Sequence, residues 1–340
     1  MTRGIIAGKF LPPHKGHSYL IEQAQKQCDQ LTVLICDRPE YPIPAKLRKQ
    51  WLQQIHPGVT FMVIKDILDD DDSKAWAENT ITVLGYKPDI VFSSETYGPG
   101  YAKYMNARHV MVDQPRTAVP ISATMIRDDP WKYWGYLHSV VRGYFARRIC
   151  LVGSESSGTT TLTKALAEHY RTGWVAEYGR DYTIQNMKRL ERDGWKTADF
   201  VRIAKRQNEL EDEAACQANK LLFCDTDSFA TSIWHERYMG TRSYETEALA
   251  AGRRYDIYLL TDTHIPFEDD GTRDGEAYRE WMQQRFEDKL RFWGKPYIVI
   301  TGGPQERLEQ AIAIIDRIKA DRAVQLPGLI RNRWHNQGGF

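Results

Sequence analysis

Two histidines three residues apart, His14 and His17, flank Gly16 in the stretch Gly8-Lys9-Phe10-Leu11-Pro12-Pro13-His14-Lys15-Gly16-His17. Imidazoles at that spacing across a turn can address one phosphate. Gly8 lets a ligand approach the backbone, and the two prolines fix the loop as it turns into a helix. Gly16 leaves room for an anion at the helix N-terminus, where free N–H groups and the helix dipole favour negative charge. The bland alternative is that these histidines only cap the helix. A second fragment, Pro120-Ile121-Ser122-Ala123-Thr124-Met125-Ile126-Arg127, sets a capping serine and a cation around one turn. Ser122 and Thr124 can hydrogen-bond phosphate oxygens while Arg127 neutralises charge. Alone, it would be an ordinary capped helix.

The second half carries a different phosphate device. Gly153-Ser154-Glu155-Ser156-Ser157-Gly158-Thr159-Thr160-Thr161 follows the apolar run Arg148 to Val152, giving the strand, glycine loop and helix of a Walker A element. Backbone N–H groups of this loop would cradle phosphates, and Thr160 stands where a magnesium-coordinating hydroxyl belongs. Thr159 occupies the lysine position. A charged hydrogen bond of that sort is worth roughly 1.5 to 3 kcal/mol, so an uncompensated loss predicts about a ten- to hundredfold penalty. Lys164, one turn onward, is expected to face solvent. Leu221 to Cys224 leads into Asp225 and Asp227, two acids at alternate positions. They are candidates for holding magnesium or accepting a hydroxyl proton, with a helix cap as the plain alternative.

The elements that must position these residues alternate in both halves. Apolar runs predict strands at 4–8, 31–36, 61–64, 90–93 and 109–112, with helices at 16–28, 45–55, 73–84 and from Ser122. Asp129-Pro130 breaks the pattern, and an aromatic-rich stretch leads to a fresh strand at 148–152. Further strands are expected at 221–224, 256–261 and 297–300. The fold class is therefore α/β, a Rossmann-like nucleotide-binding domain followed by a P-loop α/β domain. Expected boundaries are 1–128, a linker segment 129–146, a second domain 147–322 and a C-terminal tail 323–340.

Composition narrows the partners. The 340 residues carry 46 Lys plus Arg against 45 Asp plus Glu, which argues against a broad nucleic-acid surface and leaves local phosphate sites. The five cysteines form no CxxC pair or Cys/His cluster and read as reduced thiols. No apolar run approaches the roughly 18 residues of a membrane span. With no signal-peptide pattern at the start, a cytoplasmic location is expected. The acidic run Asp69 to Asp72 reads as solvated surface.

The two motifs of the first half together resemble the nucleotidylyltransferase superfamily, marked by HxGH after the first strand and ISxTxxR near the domain's end. Across nearly the entire chain, the order of landmarks resembles the NadR family of bifunctional nicotinamide-mononucleotide adenylyltransferases and ribosylnicotinamide kinases. The stretches 43–52, 92–98 and 131–134 carry that resemblance alongside the motifs. It implies ATP, nicotinamide mononucleotide, nicotinamide riboside and NAD as small-molecule partners, with Mg2+ as the metal. A homo-oligomer is left open. Triphosphate binding is implied for Gly8, Lys9, Phe10, His14, Lys15, His17, Ser122, Thr124 and Arg127, and catalysis for His14, His17 and Arg127. Arg48 and Trp76 would take the mononucleotide, although Trp76 also fits core packing and Arg48 a surface ion pair.

In the second half, the resemblance implies ATP binding by Gly153, Ser156, Ser157, Gly158, Thr159, Thr160, Thr161 and Arg273, and metal binding by Thr160 and Asp225. Glu177-Tyr178-Gly179-Arg180 resembles a substrate segment, in which Glu177 or Asp227 is the base and Tyr178 and Arg180 contact riboside. Asp270 to Asp274 resembles a lid, and Phe267 stands where tryptophan is expected. Longer family members begin with a helix-turn-helix domain. The first strand here is the adenylyltransferase strand, so DNA binding is not carried over. Thr159 motivates one alternative, an adenylyltransferase whose second half is a nucleotide-binding sensor. Another is a different HxGH transferase joined to an unrelated P-loop domain.

Overall fold

A computed structural model describes residues 1–267 and 276–320. They divide into two compact units, the first ending at Val141 and the second beginning at Arg142. The expected lid at 270–274, Arg273 included, and the 323–340 tail lie outside the described residues.

The first unit runs β1 (Arg3–Gly8), α1 (Lys15–Gln25), β2 (Gln30–Asp37), α2 (Ala45–Ile55), β3 (Thr60–Lys65), α3 (Ser73–Leu84), β4 (Ile90–Ser93), α4 (Gly98–Met105), β5 (Arg108–Met111) and α5 (Ala123–Asp128). Its sheet has the order β3-β2-β1-β4-β5, and each pairing is parallel. Unbroken apolar runs such as Leu31 to Cys36 suit strands covered on both faces. The winding reverses beside β1, which opens a crevice at the C-terminal ends of β1 and β4.

The sequence pattern assigned no element to 98–105, because Gly98-Pro99-Gly100 reads as a loop. Here it starts α4, which buries Tyr101, Ala102 and Met105 against Ile5, Ala77 and Val91. A Cβ at Gly98 would lie 2.1 Å from Ser93 Oγ and 2.2 Å from His109 Nε2. The glycine is there for close packing. The segment expected as a linker folds into a 3-10 turn, Trp134–Tyr136, and helix α6, Ser139–Phe145. Trp134, Leu137 and Val141 are buried, and the division between units falls inside the segment.

The second unit contains β6 (Arg147–Val152), α7 (Thr159–Tyr170), β7 (Trp174–Val175), α8 (Tyr178–Asp193), α9 (Thr197–Gln217), β8 (Leu221–Asp225), α10 (Ser228–Met239), α11 (Tyr244–Ala251), β9 (Ile257–Thr261), α12 (Arg279–Phe292), β10 (Tyr297–Ile300) and α13 (Pro304–Ala320). Its parallel sheet has the order β10-β9-β6-β8-β7. The central strand β6 delivers the glycine loop. All five cysteines are free thiols. Among the described residues, no helix is long and apolar enough to cross a membrane.

Candidate active sites

The crevice of the first unit holds a cavity of about 740 Å³. His14 ends its loop in an extended conformation and caps α1, its Nδ1 accepting from the N–H of Gly16 at 3.1 Å and of His17 at 3.4 Å. Capping uses Nδ1 as the acceptor and leaves Nε2 as the N–H of the neutral ring. A Cβ at Gly16 would meet the His14 ring at 3.0 Å and Ile121 at 3.3 Å, so a side chain there would press on both. His17 stacks on His14 with ring centroids 3.7 Å apart, and the Phe10 ring lies tilted to it at 4.8 Å. His17 Nδ1 is buried without a hydrogen-bond partner among the described residues. Burial, reinforced by the Arg116 charge, holds His17 down at about 3. His14 is also held well below the ordinary imidazole range, by burial first and then by His17, Arg116 and His138. Both rings are therefore neutral near pH 7. Behind them, Ser18 Oγ lies 2.8 Å from His138 Nε2 and 3.0 Å from His56 Nε2, which anchors the first turn of α1.

α5 and the loop before it adjoin the histidine loop and line the same cavity. Ser122 caps α5 by accepting from Met125 N at 3.2 Å, and Arg127 donates to Leu11 O at 2.6 Å and Thr124 Oγ1 at 3.0 Å. Gly8, Lys9, Phe10, His14, His17, Trp76, Ser122, Thr124 and Arg127 all line the cavity. Lys15 does not; it is exposed at the start of α1. Arg48 is also elsewhere. Its guanidinium is fully buried, donating to the carbonyls of Ile43, Cys36 and Lys9 and pairing with Asp37. It fixes the Lys9 loop from behind the cavity wall.

A cation that the motifs did not flag, Arg116, does line the cavity, and it pairs with Glu95 at 2.8 Å. Its φ of +54° is the left-handed region, as is the +48° of Asp113. The Asp113 carboxylate holds the loop in place, accepting from Thr117 N, Thr117 Oγ1, Ala118 N and Val119 N at 2.8 to 3.3 Å.

In the second unit, a cavity of about 220 Å³ lies in front of the glycine loop. A Cβ at Gly153 would sit 2.3 Å from Thr261 Oγ1 and 2.4 Å from Ser157 Oγ, and Gly158 has φ +81°. Both positions therefore demand glycine. Gly153, Ser156, Gly158, Thr159, Thr160 and Thr161 line the cavity. Ser157 instead faces inward, donating to Ser154 O at 2.6 Å and accepting from Thr261 Oγ1 at 2.8 Å. Buried Arg307 of α13 donates to Ser157 O at 2.6 Å and pairs with Asp262, bracing the loop from below. Lys164 points out, its ammonium 5.2 Å from the Trp174 ring.

Thr160 Oγ1 donates to Asp225, whose carboxyl burial pushes up, against the hydroxyls of Thr160 and Thr159 and the charges of Lys164 and Arg180. A threonine hydroxyl beside a carboxylate is a hard-oxygen pair suited to Mg2+. Asp227 departs from the expectation of a base or riboside ligand. It is fully buried, accepts from Ala230 N and from Tyr258 Oη at 2.8 Å, and caps α10. Glu177 and Arg180 do line the cavity, whereas Tyr178 packs edge-on against Tyr182 and donates its N–H to Gln207. The far end of the cavity is a nest of rings: Trp195 lies 4.9 Å from Phe200 and 5.0 Å from Tyr238, and Trp234 lies 6.3 Å from Tyr238.

This sequence is 31% identical over 301 residues to the trifunctional NAD biosynthesis/regulator protein NadR of Escherichia coli K12, covering 80% of this chain and 72% of that protein. The Salmonella typhimurium LT2 protein of the same name is 30% identical over 297 residues, at 79% and 71% coverage. The chain belongs to the NadR family. A family model described as an AAA domain matches residues 148–307. The fold agrees with a crystal structure of NadR protein in complex with NR, at TM-score 0.77 and 21% identity, covering 93% of this chain and 95% of that one. A structure of NadR protein in complex with NAD and AMP-PNP aligns at TM-score 0.72 and 20% identity, with the same coverage. Within this NadR-family chain, motif reasoning found the residues contiguous with each loop. It missed Arg116, Arg307, Gln207 and the four rings, which reach their sites from separated segments. Only the Trp234/Tyr238 pair, four apart on α10, left a local trace.

Proposed function

We propose that the first unit joins the adenylyl group of ATP to nicotinamide mononucleotide and that the second phosphorylates nicotinamide riboside, so that both serve NAD biosynthesis. The observation that carries the first half is the stacked His14/His17 pair lining one cavity together with Arg127 and Arg116. A phosphate oxygen of the mononucleotide attacks the α-phosphorus of ATP, and the bond to the bridging oxygen breaks to release pyrophosphate. His14 and His17 donate N–H groups to the triphosphate, and Arg127, Arg116 and Lys9 balance the charge that builds on the leaving group. Trp76, half-buried and tied by Nε1 to Asp69 O at 2.9 Å, offers a fixed face for the nicotinamide ring.

In the second unit, the riboside 5′-hydroxyl attacks the γ-phosphorus, its proton goes to Glu177, and ADP leaves. Backbone groups of Gly153 to Thr161 hold the phosphates, and Arg180 stands where it can clamp phosphate or ribose. Thr160 and Asp225 would hold Mg2+, which when bound draws charge from the phosphate oxygens. Trp195, Phe200, Trp234 and Tyr238 offer a stacking site for the nicotinamide ring. The domains of the proposal are 1–128 for adenylyl transfer and 147–322 for the kinase, with Mg2+ the preferred metal.

Thr159 in the lysine position favours a second reading, in which the P-loop unit binds nucleotide as a sensor and only the first unit is an enzyme. Incubation with Mg-ATP and nicotinamide riboside, with mononucleotide, NAD and ADP followed separately by chromatography, separates the two. Mononucleotide and ADP formed from riboside support the kinase; none formed, with ATP still bound, supports the sensor.

A further inference from the structure

Gln207 of α9 lines the P-loop cavity, yet its side chain is only 1% exposed. Its Oε1 accepts from Tyr178 N at 2.9 Å, so the amide orientation is set by the backbone of α8. That leaves Nε2, a two-proton donor, on the other side. Nε2 is buried with no hydrogen-bond partner among the described residues. A buried amide donor is costly to leave unmade, and natural chains keep few of them.

Its place on the helix says what it meets. Phe200, Ile203 and Gln207 all line the cavity from one face of α9. Phe200 sits among the rings of Trp195 and Tyr238, whereas Gln207 is bonded to the residue that follows Glu177. The seven residues from Phe200 to Gln207 rise about 10 Å, close to the length of a nucleoside from the far edge of its base to its 5′-oxygen. A base among the aromatic rings brings its sugar beside Gln207.

We propose that Gln207 is a specificity-determining residue whose Nε2 donates to a sugar hydroxyl of the nucleoside that this unit phosphorylates. The inference rests on the riboside-kinase reading. A hydroxyl accepts from Nε2 while its own proton remains free for a second partner, and a 2′- or 3′-deoxy sugar leaves the donor unmade.

The test is calorimetric binding of nicotinamide riboside and its 2′-deoxy and 3′-deoxy analogues to the full chain with a non-hydrolysable ATP analogue and Mg2+, in wild type and Gln207→Met. Wild type should bind one deoxy analogue about ten- to a hundredfold more weakly than the riboside. Gln207→Met should weaken the riboside by a similar factor and no longer distinguish that analogue. If the variant weakens all three ligands equally, or weakens only the ATP analogue, the proposal is overturned. The wild-type comparison stands even if the variant does not fold, because equal affinity for all three ligands also overturns it. Wild type that binds the ATP analogue and none of the nucleosides sinks the riboside reading and this proposal together. Riboside binding indifferent to Gln207→Met sinks this proposal alone.

Discussion

The imidazoles of His14 and His17 stack with their centroids 3.7 Å apart and their planes 27° apart. Two imidazolium ions at that distance would repel, and burial beside Arg116 keeps both rings neutral near pH 7, His17 down to about 3. The folded pKa of His17 lies below the unfolded value, so the unfolded chain binds more protons in the window between them. The His17 contribution to stability is complete above about pH 6.5 and is lost as pH falls toward 3. Thermal unfolding from pH 7.5 to 5 should show the melting temperature of wild type falling, with a shallower slope in His17→Asn. Equal slopes would mean that His17 is not the buried base described.

Arg48 and Arg116 separate structure from binding. Arg48→Met strands three backbone carbonyls and Asp37 and should cost about 3 to 5 kcal/mol. Calorimetry should show this as a lower unfolding temperature. Arg116→Gln removes a half-exposed cation and should leave unfolding almost unchanged. It should lower kcat/KM for ATP in adenylyl transfer by about ten- to a hundredfold and weaken inhibition by pyrophosphate. A stability loss at Arg116, or unchanged kinetics, would remove it from the site.

Asp227 and Glu177 are both candidates for the kinase base from the sequence, and of the two only Glu177 lines the cavity. Glu177→Gln should lower riboside kinase kcat by about 10² to 10⁴. Asp227→Asn should act through stability, because its carboxyl is pushed up by burial and bonded to Tyr258 and Ala230. A refolded Asp227→Asn enzyme with normal stability and no kinase turnover would reverse the assignment.

Thr159→Lys restores the usual P-loop cation. Lys164 is occupied over Trp174 and Arg307 braces the loop from its buried side, so neither takes that position in the described residues. Riboside kinase kcat/KM should rise about ten- to a hundredfold. No rise would show that the threonine loop is already compensated or that the unit lacks more than a lysine.

These residues also show why the sequence was readable in some places and opaque in others. His14, Gly16 and His17, like Gly153, Gly158 and Thr160, lie on a single strand-loop-helix, and local spacing dictates their geometry. Asp225 and Asp227 looked equivalent because alternate residues of a strand share a face. Thr226 has φ +67°, which ends that alternation and turns Asp227 into the core. Arg48 was misplaced for a different reason: its partners Lys9, Cys36 and Asp37 belong to other segments, and only the packed sheet brings them together. The same holds for Arg116 and Gln207, where the informative facts are a left-handed backbone and an orphaned donor, neither of which spacing can show. α4 was hidden by two glycines, of which Gly98 serves packing against Ser93 and His109 and Gly100 lies beside Ser73.

The most direct test supplies nicotinamide mononucleotide and Mg-ATP to the purified chain and quantifies NAD and pyrophosphate by chromatography. The account predicts the two products in equal amounts, with formation abolished in a His14→Ala/His17→Ala double variant. Turnover of another nucleotide acceptor while nicotinamide mononucleotide stays unreacted would contradict it.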